Sequence, residues 1–304
     1  MPARLATGLA AGITLDALLG DPRTAHPVAA FGRLATGLER RCWADRRSAG
    51  LAYATTLVAA CVGLGALAQR AHPGVAVAVS TWAVLGGTTL GREAEAMARL
   101  LDQGDLAGAR GQVTHLCGRD PDQMDAAGLA RATVESVAEN TSDAVVAPLF
   151  WGALLGAPGL LGYRAVNTLD AMVGHRSERY ARFGWAAARA DDVANLLPAR
   201  LTAGLTVLLA PVVGGRGRDA LRAWRRDGRR HPSPNAGPVE ASFAGALSRT
   251  LGGRLAYAGR IEDRPLLGDG PGPSVGDVAR AARLARAVSL AAGGLAVGVA
   301  GARR

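Results

Sequence analysis

The feature that most limits what this chain can become is the spacing of its uncharged runs. Residues 48–69 (SAGLAYATTLVAACVGLGALAQ), 74–90 (GVAVAVSTWAVLGGTTL), 144–163 (AVVAPLFWGALLGAPGLLGY), 201–215 (LTAGLTVLLAPVVGG) and 287–301 (AVSLAAGGLAVGVAG) carry no charged side chain, and residues 5–19 carry only Asp16. A helix needs about 20 apolar residues to cross a bilayer core. The runs at 48–69 and 144–163 reach that length and the others fall short. Between them lie the polar segments 91–143, 164–200 and 216–264. The pattern predicts an all-α, polytopic integral membrane protein, with cytoplasmic helical segments between short or re-entrant hydrophobic helices and 1–304 forming one membrane-embedded domain.

Charge sharpens this. The chain carries a formal net charge of +10, and all 35 of its basic residues are Arg. The heavy use of Ala, Gly and Arg without Lys is what a GC-rich genome imposes, and no basic run is interleaved with stacking aromatics. Nucleic acid is therefore not expected as a partner. The lack of Lys excludes a Walker-type phosphate lysine, a Schiff-base lysine and a Ser-Lys dyad, which leaves phosphate binding to Arg. Cys42, Cys61 and Cys117 lie far apart, suggesting reduced thiols rather than a disulfide framework or zinc site. The apolar N-terminal run, interrupted by Asp16, reads as retained rather than as a cleaved signal.

Arg is dense at 33–47, 92–119, 164–200 and 216–230, and the positive-inside rule puts all four stretches on the cytoplasmic side. Residues 48–69 and 74–90 fit an out-and-back pair. A full crossing by 144–163 would send 164–200 outside. Pro148, Pro158 and several Gly residues instead predict a broken or re-entrant segment there, so that 91–143 and 164–200 share the cytoplasmic face. Residues 91–131 read as helical with a break at GRDPD, and 164–200 as helix-like and closed by Pro198. Residues 264–276 read as a Pro/Gly loop before a last helix over 277–301.

Five polar constellations stand out. ESVAENTSD places Glu135, Glu139 and Asp143 at i, i+4 and i+8, one face of a continuous helix, with Asn140 beside them. RAVNTLDAMVGHRSERY holds Arg164, Asn167 and Asp170 at i, i+3 and i+6, then His175, Arg176 and Arg179. ARADDVANLLPAR carries Arg189, Asp191, Asp192 and Asn195. RRHPSPNAG brings His231, Ser233 and Asn235 into a Pro-rich loop, and LLGDPRTAHPV contributes Asp21 and His26. Carboxylate and carboxamide oxygens suit Mg²⁺, which shares its shell with water and substrate phosphates, and Arg offers bidentate donors to those phosphates. The plainer alternative is helix-surface ion pairing, with Arg189 a local partner for the 191–192 pair. His72 and His115 read as ordinary surface groups, and Trp82, Trp151 and Tyr163 as core or interfacial anchors.

LLGDPRTAHPVAAFGRL, VESVAENTSDAVVAPLF, YRAVNTLDAMVGHRSERYARFGWAAARADDVANLLPARLTA and RRHPSPNAGPVEASFAGALSRTLGG resemble, in order and spacing, motifs of the adenosylcobinamide-phosphate synthase family of cobalamin biosynthesis. The resemblance runs from about Asp16 to Gly253. It departs at His175-Arg176, where an aromatic followed by Lys is expected, and at Gly237-Pro238-Val239. It implies a multi-pass inner-membrane ligase with its active site facing the cytoplasm. That ligase uses ATP and Mg²⁺ to join adenosylcobyric acid to (R)-1-amino-2-propanol or its O-phosphate through an amide bond.

On that resemblance Glu135, Glu139, Asp143 and Asp192 would hold Mg²⁺-ATP, and Arg164, Arg176 and Arg179 would contact phosphates. Asn140, Asn167 and Asn195 would orient carbonyl or phosphate oxygens, and His231 would be the base. Asp170, Ser233, Asn235, Asp21 and His26 would complete the substrate contacts. The corrinoid, the aminopropanol and the lipid bilayer are the implied partners; a homo-oligomer and other cobalamin-pathway enzymes are open under it. Two other classes remain: a Mg-dependent membrane prenyltransferase, disfavoured because DDVAN lacks the second Asp of a DDxxD pattern, and a corrinoid carrier or scaffold without catalysis.

Overall fold

The computed structural model describes residues 2–21, 26–118, 120–122, 124–175, 177–257 and 260–303. In chain order it contains α1 (Pro2–Leu19), α2 (Pro27–Cys42), α3 (Arg47–Ala71), α4 (Pro73–Val84), α5 (Gly87–Asp102), α6 (Leu106–Val113) and α7 (Ala126–Thr141). After a π-helical turn at Ser142–Val146 come α8 (Ala147–Leu155) and α9 (Ala157–Leu169). A second π turn, Asp170–Gly174, precedes α10 (Trp185–Ala194), α11 (Leu196–Leu209), α12 (Gly217–Asp227) and α13 (Ala236–Leu247). The hairpin β1 (Leu251–Tyr257) and β2 (Arg260–Leu267) leads into α14 (Val275–Ala302).

Among the described residues four stretches are long and apolar enough to cross a membrane: Arg47–Ala71, Pro73–Asp102, Leu196–Val213 and Val275–Ala302. Leu51, Val62, Leu64 and Leu67 of α3 are exposed, as expected of a face whose solvent is lipid. The all-α polytopic class stands, with one antiparallel hairpin added. The run at 144–163 is not one span: α8 ends at Gly156, whose φ of 72° suits glycine, and α9 starts afresh. A helix start in an apolar setting needs partners for its first N–H groups. Gln69 of α3 supplies one, its Oε1 accepting from the Ala157 N–H at 2.7 Å.

The chain divides into two compact units, Met1–Gly86 with Asp143–Leu196 and Ala292–Arg304, and Gly87–Ser142 with Leu197–Ala291. In the first, α1 packs on α4 through Gly8 and Gly12. A Cβ at Gly8 would meet the Gly74 carbonyl and Val77 at 2.8 Å, and one at Gly12 would collide with Thr81 and the Ala78 carbonyl. This is the small-residue spacing by which apolar helices approach closely. Antiparallel to α9, α3 places Gly65 against Ala157 and Pro158 and Val62 against Gly162. Tyr53, Leu57, Leu169, Val173 and Phe183 form a core, and the Tyr53 and Phe183 rings lie 5.1 Å apart.

In the second unit every residue of α13 is buried. It meets α12 through Gly245, which faces the backbone of Asp219 and Ala220. The hairpin pairs Leu251 with Leu267 and Gly253 with Arg264, with an irregularity between Leu251 and Gly253. Gly252 and Gly253 both have φ of 85°, backbone that L side chains resist. Two local expectations are corrected. The Pro/Gly loop begins after Leu267, because β2 takes up its first residues. Pro198 sits in the first turn of α11, where a missing N–H costs nothing, so it opens a helix rather than closing one. The residues after Asp16 end in a cap in which Trp82 Nε1 donates to the Gly20 carbonyl at 3.0 Å.

Candidate functional site

In the first unit a polar cluster gathers round Tyr163, at the end of the apolar run. Its hydroxyl donates to Asn195 Oδ1 at 2.9 Å and lies 3.2 Å from the Asp143 carbonyl oxygen. Asn195 in turn donates from Nδ2 to Asp191 Oδ2 at 3.0 Å, and Asn167 Nδ2 lies 3.4 Å from the other Asp191 oxygen. Asn195 is almost fully buried. The carboxylates of Asp143 and Asp191 and the guanidinium of Arg164 act electrostatically on Tyr163, and Arg164 also feels Asp21. Three segments far apart in sequence thus converge through side chains of the types that bind metal-phosphate.

Both π turns lie next to this cluster in sequence. The first has Asp143 as its second residue, and Asp170 opens the second, its carboxylate lying against Gly174 where any side chain would collide with it. Extra residues wound into a helix re-aim side chains and recur at functional sites. Sequence reasoning assigned Tyr163 to an anchor; the structure puts it at the centre. Asp192 pairs with Arg189 at 3.0 Å, and Asp191 is the carboxylate bonded to Asn195 and Asn167.

Beside the cluster is a cavity of about 860 Å³ lined by His26, by α2 from Val28 to Arg40, and by Arg164, Thr168 and Met172. A smaller one of about 300 Å³ shares Val28, Arg164 and Thr168 and is otherwise mostly apolar, with Phe31, Leu34, Leu57, Cys61 and Leu64. Arg164 lines both, and its buried Nε finds no hydrogen-bond partner among the described residues. His26 Nδ1 accepts from the Val28 N–H at 3.2 Å and caps α2, leaving Nε2 facing Asp21 Oδ2 at 3.8 Å.

Arg179 lies on the same unit but is committed to α2. It donates to buried Glu39 from Nε and Nη2, at 3.2 and 2.9 Å, and stacks over Trp43 and Tyr180. Tyr180 donates to the same Glu39 oxygen at 3.0 Å. Hydrogen bonding to Glu39 raises the Arg179 pKa. Arg176 lies outside the described residues.

The second unit uses its charges differently. Glu135, buried on α7, accepts the Gly252 N–H at 2.7 Å. One turn earlier Arg131 donates to the carbonyls of Gly252 and Arg254, at 2.9 and 3.0 Å. Together they clamp the start of the hairpin. Glu139 is exposed, and Asn140 turns back on Ser136.

Ser233 Oγ accepts from the N–H groups of Asn235 and Ala236, at 3.3 and 3.1 Å, at the start of α13. Asn235 accepts from Arg200 at 2.8 Å. His231 is buried, with Ser233 N 3.0 Å from Nδ1, Arg264 Nη1 3.2 Å from Nε2 and Glu240 Oε1 3.8 Å from Nε2. Among the described residues no group of three or more His, Cys, Asp or Glu side chains is arranged to hold a metal. Mg²⁺ sites do not need one, since one or two carboxylates suffice with substrate phosphates and water. Asp143 and Asp191 are the two carboxylates of the cluster whose oxygens are of the kind such a shell uses.

No solved structure matches the chain. The family described as CobD/Cbib protein matches residues 9–285. "Cobalamin biosynthesis protein CobD" from Mycobacterium tuberculosis is 54% identical over 296 residues, covering 96% of this chain and 95% of the relative. The proteins of that name from Chromobacterium violaceum and Rhodobacter capsulatus are 45% and 44% identical, covering 90% of this chain in each case and 89% and 90% of the relatives. With a membrane-type helical architecture and matches running through almost its whole length, the chain belongs to the CobD/CbiB family of cobalamin biosynthesis proteins.

Proposed function

We propose that the protein is an ATP- and Mg²⁺-dependent amide synthase that joins a propionate carboxylate of adenosylcobyric acid to aminopropanol or its O-phosphate. The carrying observation is the convergence of Asp143, Asn167, Asp191 and Asn195 round Tyr163 beside Arg164, in a chain whose relatives bear a cobalamin-biosynthesis name. A carboxylate does not react with an amine until one of its oxygens becomes a leaving group. Transfer of a phosphoryl or nucleotidyl group from ATP does this. The amine nitrogen then attacks the acyl carbon, the C–N bond forms as the activated C–O bond breaks, and the ammonium proton passes to a base.

In this reading Asp143 and Asp191 would hold Mg²⁺, which when bound would supply positive charge to offset that of the nucleotide phosphates. Asn195 and Asn167 hold Asp191 in place through its two oxygens. Arg164 offers its unmatched Nε–H to a phosphate or carboxylate oxygen. The roles of Glu139 and Asn140 in the same reaction stay part of the proposal. For Glu135 and His231 the hairpin and loop contacts favour support of the fold.

The test is mass spectrometry of the corrinoid after incubating detergent-purified protein with adenosylcobyric acid, Mg-ATP and aminopropanol phosphate, with an ATP-free control. An ATP-dependent gain matching the phosphorylated amide supports the reading. Corrinoid binding with no ATP consumption would replace it with a carrier.

A further inference from the structure

We propose that the two adjoining cavities of the first unit together hold one anionic phospholipid, its phosphate on Arg33 and Arg40 and an acyl chain in the apolar cavity. The proposal does not depend on the amide reaction.

Charge gives the first argument. Arg33 and Arg40 stand two turns apart on one face of α2, with Arg164 across the cavity, and no Asp or Glu is among the described residues lining it. Arg33 and Arg40 make this end of the cavity a receptor for anionic oxygens.

Depth gives the second. Tyr53 of α3 donates to Ala35 of α2 at 3.2 Å, while Phe31 and Leu34 share the apolar cavity with Leu57, Cys61 and Leu64. Moving from Arg40 towards Val28 along α2 therefore means moving from the Arg47 end of a candidate span towards its middle. The α2 side chains on this wall pass from Arg40 through Thr36 and Arg33 to Ala29 and Val28, the order of a lipid from headgroup to tail, with Arg164 facing them from α9. Leu34 and Leu64 are exposed, so the apolar cavity opens on the face that α3 presents to the bilayer. A corrinoid or nucleotide matches the cationic cavity alone and leaves this apolar extension unexplained. Juxtamembrane arginines favour anionic over zwitterionic headgroups.

The test uses full-length protein in detergent, to which phosphatidylglycerol, phosphatidylcholine of the same chains, or glycerol phosphate is added. Native mass spectrometry reads lipid retained, and peptide mapping after N-ethylmaleimide treatment reads protection of Cys61. Phosphatidylglycerol should be retained at one per chain and should protect Cys61, with the other two doing neither. The double variant Arg33→Gln, Arg40→Gln should lower retention about tenfold or more, given roughly a factor of five per arginine near an anionic headgroup. Ala60→Trp, which fills the apolar cavity from α3 and leaves Arg33 and Arg40 in place, should abolish retention as well. Equal retention of phosphatidylcholine would overturn headgroup recognition. Displacement of the lipid by glycerol phosphate, with Cys61 still labelled, would make this a free-anion site. Undiminished retention in either folded variant would move the lipid elsewhere.

Discussion

The two compact units put their buried charged and amide side chains to different uses. Round Tyr163 in the first, side chains bond to side chains: Tyr163 to Asn195, Asn195 and Asn167 to Asp191, with an arginine at the cavity wall. In the second, several of the buried groups bond to backbone. Glu135 and Arg131 hold Gly252 and Arg254, Ser233 takes the N–H groups of Asn235 and Ala236, and Asp227 takes the Gly268 N–H at 2.9 Å besides Arg226 and Arg230. A buried charge satisfied by the main chain fixes a fold and has little capacity left for a ligand. A mesh of side chains can exchange partners when a ligand arrives.

The sharpest way to break this contrast is at neighbouring aspartates. Asp191→Asn should lower turnover by two to three orders of magnitude, the scale seen when one group that stabilises transition-state charge is removed, with the circular-dichroism spectrum unchanged. Asp192→Asn should cost no more than a few-fold, and equal losses in the two would erase the distinction.

Next comes the buried carboxylate of the second unit. Burial alone would raise the pKa of Asp227, but hydrogen bonds from Arg226, the Gly268 N–H and Arg230 outweigh it and hold the group below its ordinary 3.8. A depressed folded-state value contributes stability that is present above the unfolded pKa and lost as pH falls through the folded one. Asp227→Asn should cost about 2–3 kcal/mol near neutrality. It should also flatten the fall in stability below about pH 4, read by thermal melts across pH.

Packing supplies a third comparison. Gly12→Leu, forced against Thr81 and the Ala78 carbonyl, should cost about 1–3 kcal/mol. Gly37→Leu, with open space at its Cβ, should change the melting temperature far less. The smallest effect is expected at Ser233→Ala, about 1 kcal/mol for the lost hydroxyl contacts with the Asn235 and Ala236 N–H groups, with turnover kept. A turnover loss beyond what stability explains would bring Ser233 back as a substrate contact.

What could be read beforehand followed from periodicity and charge. Runs without charge gave the helical membrane class, and Gly and Pro within 144–163 gave its break. The Asp192–Arg189 pairing was visible as i, i+3 spacing. Tyr163 was hidden because it ends an apolar run, where an aromatic ordinarily anchors a helix, and only tertiary contact with Asn195 reveals its role. The π turns depend on a slip in backbone bonding that no residue type announces. The paired carbonyl and N–H contacts of Gly252 gave Glu135 a backbone partner that helical spacing alone could not supply. The hairpin was passed over between stronger helical signals, although LGGRLAY and RIEDRPLL hold the glycines and β-branched or aromatic residues such a hairpin uses.

The clamp that α7 places on the hairpin also imposes an order on biogenesis. Glu135 meets a partner 117 positions later, and Arg131 carbonyls 121 and 123 positions later. At translation speeds of about 5–20 residues per second, α7 waits on the order of ten seconds for these contacts. During that interval the nascent protein is a species in which a helix bound for burial still exposes its charges, and it is then that insertion machinery and quality-control proteases have access to it.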